Sequence, residues 1–579
     1  MNEDSRRFSP VCSAGGPAGT VPPEGIPEIK PARRGCSVTY KNKTLLSAGD
    51  PAARAERAAA EALKPDRTLY FCPSPLLGYG LDVLLSRSSG DSAVLCVETE
   101  AALLNLAQSS IDEKLLSHPR FALTGITGSA ELCGFVRKKW GARVFRRLQV
   151  VRLSGGWQLN GSVYERLAAS LQKDIALEWG NAMTLVRLGR RFIGNALRNL
   201  ALLHRSRPLS FGSRPVLVTG AGPSLDMALE GLRRRGLFEG DRRGRFALVC
   251  VDTCLSVLRE RQVVPDLTVI LESQFWNQRD FIGLRDSRFP AALDLSAYPS
   301  TAEILGGPVF FFFTPWTRLR IFGRLRAADL LPPVLPPLGS VGLTAVELAR
   351  RLSSGPVITA GIDFSFTPDH THARSSPAHL AMLAAQNRFT GLFNPALIRQ
   401  GVFNTVSKSG IPVKSDPAMR TYRDLFEREF SADPRVRDIE GSGLSLGLAT
   451  LTVEDAAGLL AEGPDPEGPE NSPGGPENSD GPAGTITERL RAFIDGESAL
   501  LEELRAVLTG KEPARAGLET LLDNADYLWA HFPDCAGAEG RRPPGTDIAF
   551  LKRVRAEIDP FISLWRRIRE KTEPGYAYD

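Results

Sequence analysis

Residues 215–226, PVLVTGAGPSLD, combine an apolar run, a glycine turn and a helix start, an arrangement that can bind an anion. The β-branched first half predicts a buried parallel strand. Gly220 and Gly222 turn the backbone tightly and leave no side chain in the way of a ligand, and Pro223 suits the first position of a helix, where its missing N–H costs nothing. Free N–H groups at a helix N-terminus favour phosphate, and Ser224 adds a hydroxyl there. The sequence therefore predicts a phosphorylated or nucleotide ligand near Gly222.

The same turn also has a purely structural interpretation. It is not the dinucleotide fingerprint, because Leu225 stands where the third glycine would be, and no Walker lysine follows. Glycine-rich turns between strand and helix also occur for packing alone. Both interpretations remain open at this point.

Three further segments bring polar or small residues to the ends of expected strands and the starts of expected helices. They are Asp252 and Thr253, then Gly339, Ser340 and Gly342, then Gly361 to Asp363. A carboxylate or hydroxyl directly after a strand either caps the next helix or contacts a ribose or base. The glycine-flanked helix start at Ser340 is a second possible anion cradle.

Two of the six histidines, His370 and His372, follow the third of these segments. The ordinary pKa of histidine, about 6.5, suits proton transfer near neutral pH. The pair could instead be half of a metal site, although no further Cys or His cluster completes one, or an exposed loop pair without a role. His372 is the candidate catalytic base, and no metal site is predicted.

The region from 211 to 450 alternates strand and helix patterns, which predicts an α/β fold with a doubly wound, mainly parallel, Rossmann-like sheet. The predicted strands are 215–219, 246–251, 267–271, 309–314 and 357–361. The predicted helices are 223–235, 253–262, 340–352 and 417–430. Ligands of such sheets bind at the carboxyl ends of the strands. We therefore expect the segments after Thr219, Val251, Leu271 and Gly361 to share one edge.

The rest of the chain divides by composition. Residues 1–35 are rich in Pro, Gly, Ala and Arg and are predicted to be disordered. Residues 36–210 form a smaller α/β domain with a long helical stretch; its Glu98 either holds a ribose or is a structural relic. Residues 463–484 contain two copies of the unit GPENS and are predicted to be a low-complexity linker. Residues 485–579 have helical apolar spacing and predict a C-terminal helical bundle.

Composition narrows the function classes. The net charge of +5 is too small to indicate a nucleic-acid partner. The longest apolar runs fall far short of the roughly 18 residues of a membrane span, and no secretory signal is visible. Cys72, Cys96 and Cys250 lie in apolar strand-like runs, where a reduced, buried thiol is expected. We therefore expect a cytoplasmic protein.

The four segments, in this order, resemble the central domain of the motility-associated factor (Maf) family, bacterial glycosyltransferases that modify flagellin. The matching stretches are VLVTGAGPSLD (216–226), VDTCLSVLRERQVVPDLTVILE (251–272), GSVGLTAVELA (339–349) and GIDFSFTPDHTHA (361–373). The glycine turn and the GIDF strand end are also similar to Cst-type sialyltransferases, which use CMP-sugar donors. The resemblance implies transfer of a nonulosonic acid, such as pseudaminic or legionaminic acid, from CMP to Ser/Thr hydroxyls of flagellin. Filament assembly and motility would depend on this transfer.

The resemblance also implies a role for each candidate residue, with CMP-nonulosonic acid as co-substrate and no separate cofactor. Gly220, Gly222, Pro223 and Ser224 would hold the CMP phosphate, Asp252 and Thr253 would face the nucleoside, and Gly339, Ser340 and Gly342 would form the opposite wall. Asp363 would order the site, and His372 would be the general base. Glu272 stands where relatives usually carry Asp. Lys408 would either touch the donor carboxylate or be solvated.

Two other functions fit the same features. The domain also resembles archaeal 6-hydroxymethylpterin diphosphokinases, which would make the chain an ATP- and magnesium-dependent pyrophosphoryl transferase with Asp252, Asp266 and Glu272 as candidate magnesium ligands. A non-catalytic factor that binds flagellin during filament assembly is the other alternative.

Overall fold

The computed structural model describes residues 25–141, 144–206, 208–285, 287–389, 394–464, 485–510, 517–536 and 543–573. The chain forms two compact units. The first contains residues up to Gly189 together with Trp529–Pro544, and the second contains Arg190–Leu528 together with the residues from Gly545 onward. No helix in these described ranges has the length and apolar character needed to cross a membrane.

The first unit contains a small antiparallel sheet and a parallel sheet. The small sheet is β1 (Glu28–Pro31), β2 (Cys36–Tyr40) and β3 (Lys43–Thr44). The parallel sheet has the order β6-β5-β4-β7, made of β4 (Thr68–Pro73), β5 (Ala93–Val97), β6 (Phe121–Thr124) and β7 (Arg147–Val150). The helices that begin in this unit are α1 (Pro51–Glu61), α2 (Leu81–Arg87), α3 (Ala101–Ser110), α4 (Glu113–Leu116), α5 (Ser129–Trp140) and α6 (Gly161–Leu200).

The disorder predicted for residues 1–35 is wrong for Glu28–Pro31, which pairs with Cys36–Tyr40 as β1. Strand β2, which begins after a connection of only four residues, pairs with the backbone groups of β1 despite the Pro-rich composition. Residues 1–24 lie outside the described residues.

Glu98, at the end of β5, is buried and serves the structure of this unit. Its carboxylate accepts hydrogen bonds from Ser74 (2.6 Å) and Tyr164 (3.2 Å), and burial raises its pKa. These contacts agree with the interpretation of Glu98 as a structural relic, since its oxygens are already used.

The second unit is built on a sheet that has eight strands, all parallel, among the described residues. Its order is β12-β11-β10-β9-β8-β13-β16-β17. The strands are β8 (Val216–Thr219), β9 (Ala247–Val251), β10 (Leu267–Ile270), β11 (Ala291–Asp294), β12 (Val309–Phe312), β13 (Val357–Ala360), β16 (Val436–Ile439) and β17 (Ala449–Leu451). A separate hairpin pairs β14 (Phe403–Val406) with β15 (Pro412–Ser415). The predicted α/β class with a doubly wound parallel sheet is confirmed.

Helices connect these strands and follow them. They are α7 (Leu225–Arg234), α8 (Gly240–Gly244), α9 (Leu255–Glu260), α10 (Ser300–Leu305), α11 (Arg320–Ala327), α12 (Val341–Leu352), α13 (Pro377–Ala384), α14 (Pro417–Phe430) and α15 (Val453–Ala461). The buried apolar face of α12 packs against the central strands of the sheet.

The chain ends in helices α16 (Ile486–Leu508), α17 (Leu518–Asn524), α18 (Pro533–Ala536) and α19 (Ile548–Lys571). Helix α16 packs against α19, around a fully buried Trp565. These are the predicted C-terminal helices, although Trp529–Pro544 clusters with the first unit. Most of the predicted linker, residues 465–484, lies outside the described residues.

Among the cysteines, Cys72, Cys96 and Cys250 are buried free thiols, as predicted. Cys36 is disulfide-bonded.

Candidate functional site

The site lies at the carboxyl edge of the large sheet, where the strand order reverses. The strands β9 to β12 follow one another on one side of β8, whereas β13 lies on the other side. In a parallel sheet this reversal opens a crevice between the two loops that leave the central strands. The expected common edge for the segments after Thr219, Val251, Leu271 and Gly361 is confirmed, because all these strands are parallel.

The glycine turn after β8 packs closely against the segment that follows β13. A Cβ atom on Gly222 would lie 2.5 Å from Oδ2 of Asp363 and 2.7 Å from the carbonyl oxygen of Gly361, and one on Gly220 would also meet that carbonyl. The Gly222 N–H donates to the same carbonyl oxygen at 2.8 Å. The two glycines are therefore required by the approach of two loops.

Asp363 occupies the helix start that the sequence assigned to phosphate. Its carboxylate accepts the Ser224 N–H at 2.8 Å and the Ser224 hydroxyl at 2.5 Å, and it is 4% exposed. The pKa of Asp363 is raised by burial, although both bonds from Ser224 favour the charged form. The expected free amide at Ser224 is thus already paired with an acid of this chain. Helix α7 begins at Leu225, so Pro223 lies in the preceding turn instead of opening the helix.

Asp252 leaves β9 on this edge and is tied to a polar turn after β10. Its carboxylate accepts from the Thr253 N–H and from the Asn277 side chain, both at 2.8 Å, and Asn277 also donates to Asp280 at 3.1 Å. Burial, followed by the charge of Asp280, raises the pKa of Asp252 to about 7. Near neutral pH this carboxyl is therefore partly protonated and can donate as well as accept a hydrogen bond.

His372 is held beside the glycine turn. The next residue, Ala373, donates its N–H to the carbonyl oxygen of Ala221 at 2.8 Å. Burial lowers the pKa of His372, and the positive charges of Arg279 and Arg399 lower it further. These effects favour the neutral imidazole, and the two arginines whose charge acts on it come from different segments of the chain.

The neighbouring His370 is placed differently. Its Nδ1 lies 3.5 Å from the Thr367 hydroxyl, and its ring packs edge-on against His379. Nδ1 of His372 instead lies 2.8 Å from the Thr371 hydroxyl. The two histidines therefore do not share partners.

The start of helix α12 also reaches this edge. Gly342 lies beside Ile362, and Gly339, at φ +69°, lies against the ring of Tyr422. Ser340 is the N-cap residue, and its side chain makes no capping bond. The structure thus brings Gly342, in the first turn of α12, next to the segment that carries Asp363, and Gly339 and Ser340 directly precede that turn.

Lys408 is buried and not solvated. It is 4% exposed at its side chain and forms a buried ion pair with Asp438 of β16, which also accepts the Thr359 hydroxyl at 2.7 Å. Burial raises the pKa of Asp438 to about 6, against the opposing effect of Lys408. The interpretation of Lys408 as a solvated lysine is therefore wrong, because its side chain is buried in the ion pair with Asp438.

The three acids considered as magnesium ligands do not converge. Asp266 precedes β10 and accepts from the Leu248 N–H (2.7 Å) and Arg243 (2.8 Å), whereas Glu272 follows the same strand and accepts the Gln274 N–H. The two acids therefore lie at opposite ends of β10, about 20 Å apart in an extended chain. The described part of the chain contains no group of three or more His, Cys, Asp or Glu side chains suited to a metal ion.

Sequence reasoning missed Asn277, Arg279, Asp280 and Arg399. The first three lie in the run WNQRD, soon after the end of a strand. A cluster of polar residues at that position could have indicated a site. Arg399 carries no local signal, because only the long loop after Asp363 brings it to His372.

Comparison with known proteins agrees with this architecture. Residues 190–369 match the family model for MptE-like 6-hydroxymethylpterin diphosphokinases. An uncharacterized protein of Treponema pallidum (strain Nichols) is 28% identical over 98% of this chain and 99% of its own length. The solved structure of the MAf glycosyltransferase from Magnetospirillum magneticum AMB-1 aligns with a TM-score of 0.56 at 14% identity, covering 94% of this chain and 92% of that one. The chain therefore has the fold of that glycosyltransferase, with an MptE-like domain at its centre.

Proposed function

We propose that this chain is a glycosyltransferase that moves a nonulosonic acid from a CMP-activated donor to Ser/Thr hydroxyls of flagellin, and that filament assembly and motility require this transfer. The shared fold with a MAf glycosyltransferase over nearly the whole chain supports the reaction class. The four motifs around the crevice support the donor and acceptor.

The observation that carries the proposal is the position of the half-buried His372 beside the glycine turn, where burial and nearby positive charge lower its pKa and so favour the neutral imidazole. In the transfer, the acceptor hydroxyl oxygen bonds to the anomeric carbon while the bond from that carbon to the CMP phosphate breaks. The hydroxyl proton goes to the imidazole, and CMP leaves as the phosphate anion. Because Nδ1 of His372 faces the Thr371 hydroxyl, the proposed proton acceptor is Nε2.

The positive charge for the leaving phosphate comes, in this proposal, from Arg279 and Arg399. Both lie near enough to lower the pKa of His372. Cations beside a departing phosphate stabilise the charge that develops in the transition state, and in this proposal Arg279 would leave its ion pair with Asp280 to do so. The amide and hydroxyl of Ser224 are paired with Asp363. In this proposal the glycine turn therefore forms the wall of the crevice, and Asp363 keeps that wall in position. The residues of the turn are Gly220, Gly222, Pro223 and Ser224.

The nucleoside is assigned to the neighbouring strand end. Asp252, with its pKa raised to about 7, and the adjacent Thr253 would face the nucleoside, and a cytosine or ribose would have to replace or share the bond that Asp252 now accepts from Asn277. Gly339, Ser340 and Gly342, at the start of α12, form the opposite wall. We also propose a cytoplasmic location for the chain.

A second candidate function is magnesium-dependent pyrophosphoryl transfer to a pterin. The match to the MptE-like family model over residues 190–369 favours it. The separation of Asp266 from Asp252 and Glu272 counts against it, because a magnesium ion needs its carboxylates together.

Calorimetric titration decides between the two. We expect CMP to bind in buffer that contains EDTA, and ATP to bind no more tightly when magnesium is added. Magnesium-dependent ATP binding without CMP binding would contradict the glycosyltransferase assignment.

A further inference from the structure

A cavity of about 470 Å³ opens on the carboxyl edge of the large sheet, over β10 and β11. One wall is a face of α6 that presents Arg191, Asn195 and Arg198. Residues at positions i, i+4 and i+7 of a helix lie on the same face, so the two arginines point into one space. The other walls come from Ser273–Trp276 after β10 and from Tyr298–Ser300 after β11.

The floor of this cavity is fixed by hydrogen bonds. Asn195 is 3% exposed, and its Nδ2 donates to the carbonyl oxygens of Ser273 (2.9 Å) and Ser296 (3.1 Å). One helical turn later, Nδ2 of Asn199 donates to the carbonyl oxygens of Leu295 and Ala297, each at 2.9 Å. A buried amide that bridges two strand ends holds both in place, so the arginines face a preformed surface.

The charge of the cavity is positive. Among the described residues that line it, Arg191 and Arg198 are cationic and none is Asp or Glu. Burial lowers the pKa of Arg198, and the nearby positive charge of Arg567 lowers it further. Cations held close together lose repulsion when an anion binds between them.

The rim of the cavity is aromatic and open to solvent. Phe275 and Trp276 are 50% and 66% exposed, and their ring centroids lie 4.3 Å apart. An apolar rim around cationic groups fits a polypeptide better than a small, fully polar ligand.

We infer that this cavity anchors an acidic residue of the acceptor polypeptide, with an apolar neighbour of that residue against Trp276. The inference depends on the proposed transfer to a protein acceptor. Two to three strand spacings separate the cavity from the crevice at β8, or about 10–14 Å. An extended chain covers that span in about three or four residues. The modified Ser or Thr therefore lies three or four positions from the anchored Asp or Glu.

The test compares the R191Q/R198Q variant with the wild-type chain and with R187Q, a control at an exposed arginine of α6 outside the cavity. Flagellin from the same organism is the probe, and its binding to each immobilised protein is measured by biolayer interferometry without donor, in 50 and 300 mM NaCl. We expect the double variant to bind flagellin at least tenfold more weakly at low salt and to lose most of the salt dependence. The R187Q control retains the wild-type affinity for flagellin and its salt dependence. All three proteins bind CMP with the same affinity.

The other possible results distinguish failure of this inference from failure of the proposed function. Equal flagellin binding by the double variant and the wild type would overturn the inference and leave the proposed function standing. Displacement of flagellin from the wild type by millimolar N-acetylneuraminate would assign the arginines to a sugar carboxylate and overturn the inference. A wild-type chain that neither binds nor modifies flagellin would refute the proposed function, and the inference with it.

Discussion

The substitution Gly222→Ala separates the two interpretations of the glycine turn. If the glycine exists to leave space for a ligand, alanine weakens ligand binding and leaves the ligand-free protein stable. If it exists so that two loops can meet, alanine destabilises the ligand-free protein itself. The contacts of Gly222 with Asp363 and Gly361 favour the second outcome.

The magnitude follows from those contacts. The new methyl group would lie 2.7 Å from a backbone carbonyl oxygen and 2.5 Å from the Asp363 carboxylate, so one loop must move. Overpacking of this kind costs about 1–3 kcal/mol. Withdrawal of Asp363 also weakens two hydrogen bonds from Ser224, each worth about 1.5–3 kcal/mol when the acceptor is charged. We expect a loss of about 4 kcal/mol, which lowers the Tm of the second unit by roughly 5 °C because the unfolding entropy of so large a unit is high.

Differential scanning calorimetry of the ligand-free protein measures this change. The matched control is Gly323→Ala in α11, where no atom lies within 4 Å of the added carbon. Alanine is about 0.5–1 kcal/mol better than glycine inside a helix, so this control keeps or slightly raises the Tm. A G222A protein with wild-type Tm and at least tenfold weaker CMP binding would refute the packing explanation.

Three further predictions concern the site and its supports. The substitution His372→Asn lowers the transfer rate about 10²–10⁴-fold while CMP affinity stays constant, whereas His370→Asn retains near-wild-type activity. Because burial lowers the pKa of His372, the acid limb of the wild-type kcat/KM profile lies below pH 6.5. Lys408→Met leaves the buried Asp438 unpaired and destabilises the protein by about 3–5 kcal/mol, as measured by the Tm, whereas the K408M/D438N double variant recovers most of that loss. Transfer of the sugar persists in excess EDTA. The substitution Asp266→Asn leaves CMP affinity unchanged in calorimetry, because Asp266 lies at the edge of the sheet opposite the crevice.

The sequence was sufficient to predict the central sheet and its ligand edge. Apolar β-branched runs followed by glycine or polar residues mark β8, β9, β10 and β13, and parallel strands must share an edge. The short strand Ala291–Asp294 was missed because the preceding Pro290 and the run DLSAY resemble a loop. Strands β16 and β17 were missed because their alternation of polar and apolar residues is brief.

The partners inside the site could not be predicted in the same way. The bond from Ser224 to Asp363 joins residues 139 positions apart, and no local pattern encodes such a contact. Lys408 appeared to be an ordinary loop lysine, yet the hairpin buries it against Asp438. By contrast, Asn195 and Asn199 interrupt the apolar face of a long helix at i and i+4, so the sequence does mark them as buried polar residues.

The most direct test of the account is the intact mass of flagellin after incubation with the purified chain and a CMP-nonulosonic acid. We expect the wild-type chain to increase the mass by whole nonulosonic acid residues and H372N to add almost none in the same time. Unchanged flagellin mass with a wild-type chain that binds CMP would contradict the assignment and leave a flagellin-binding assembly factor as the explanation.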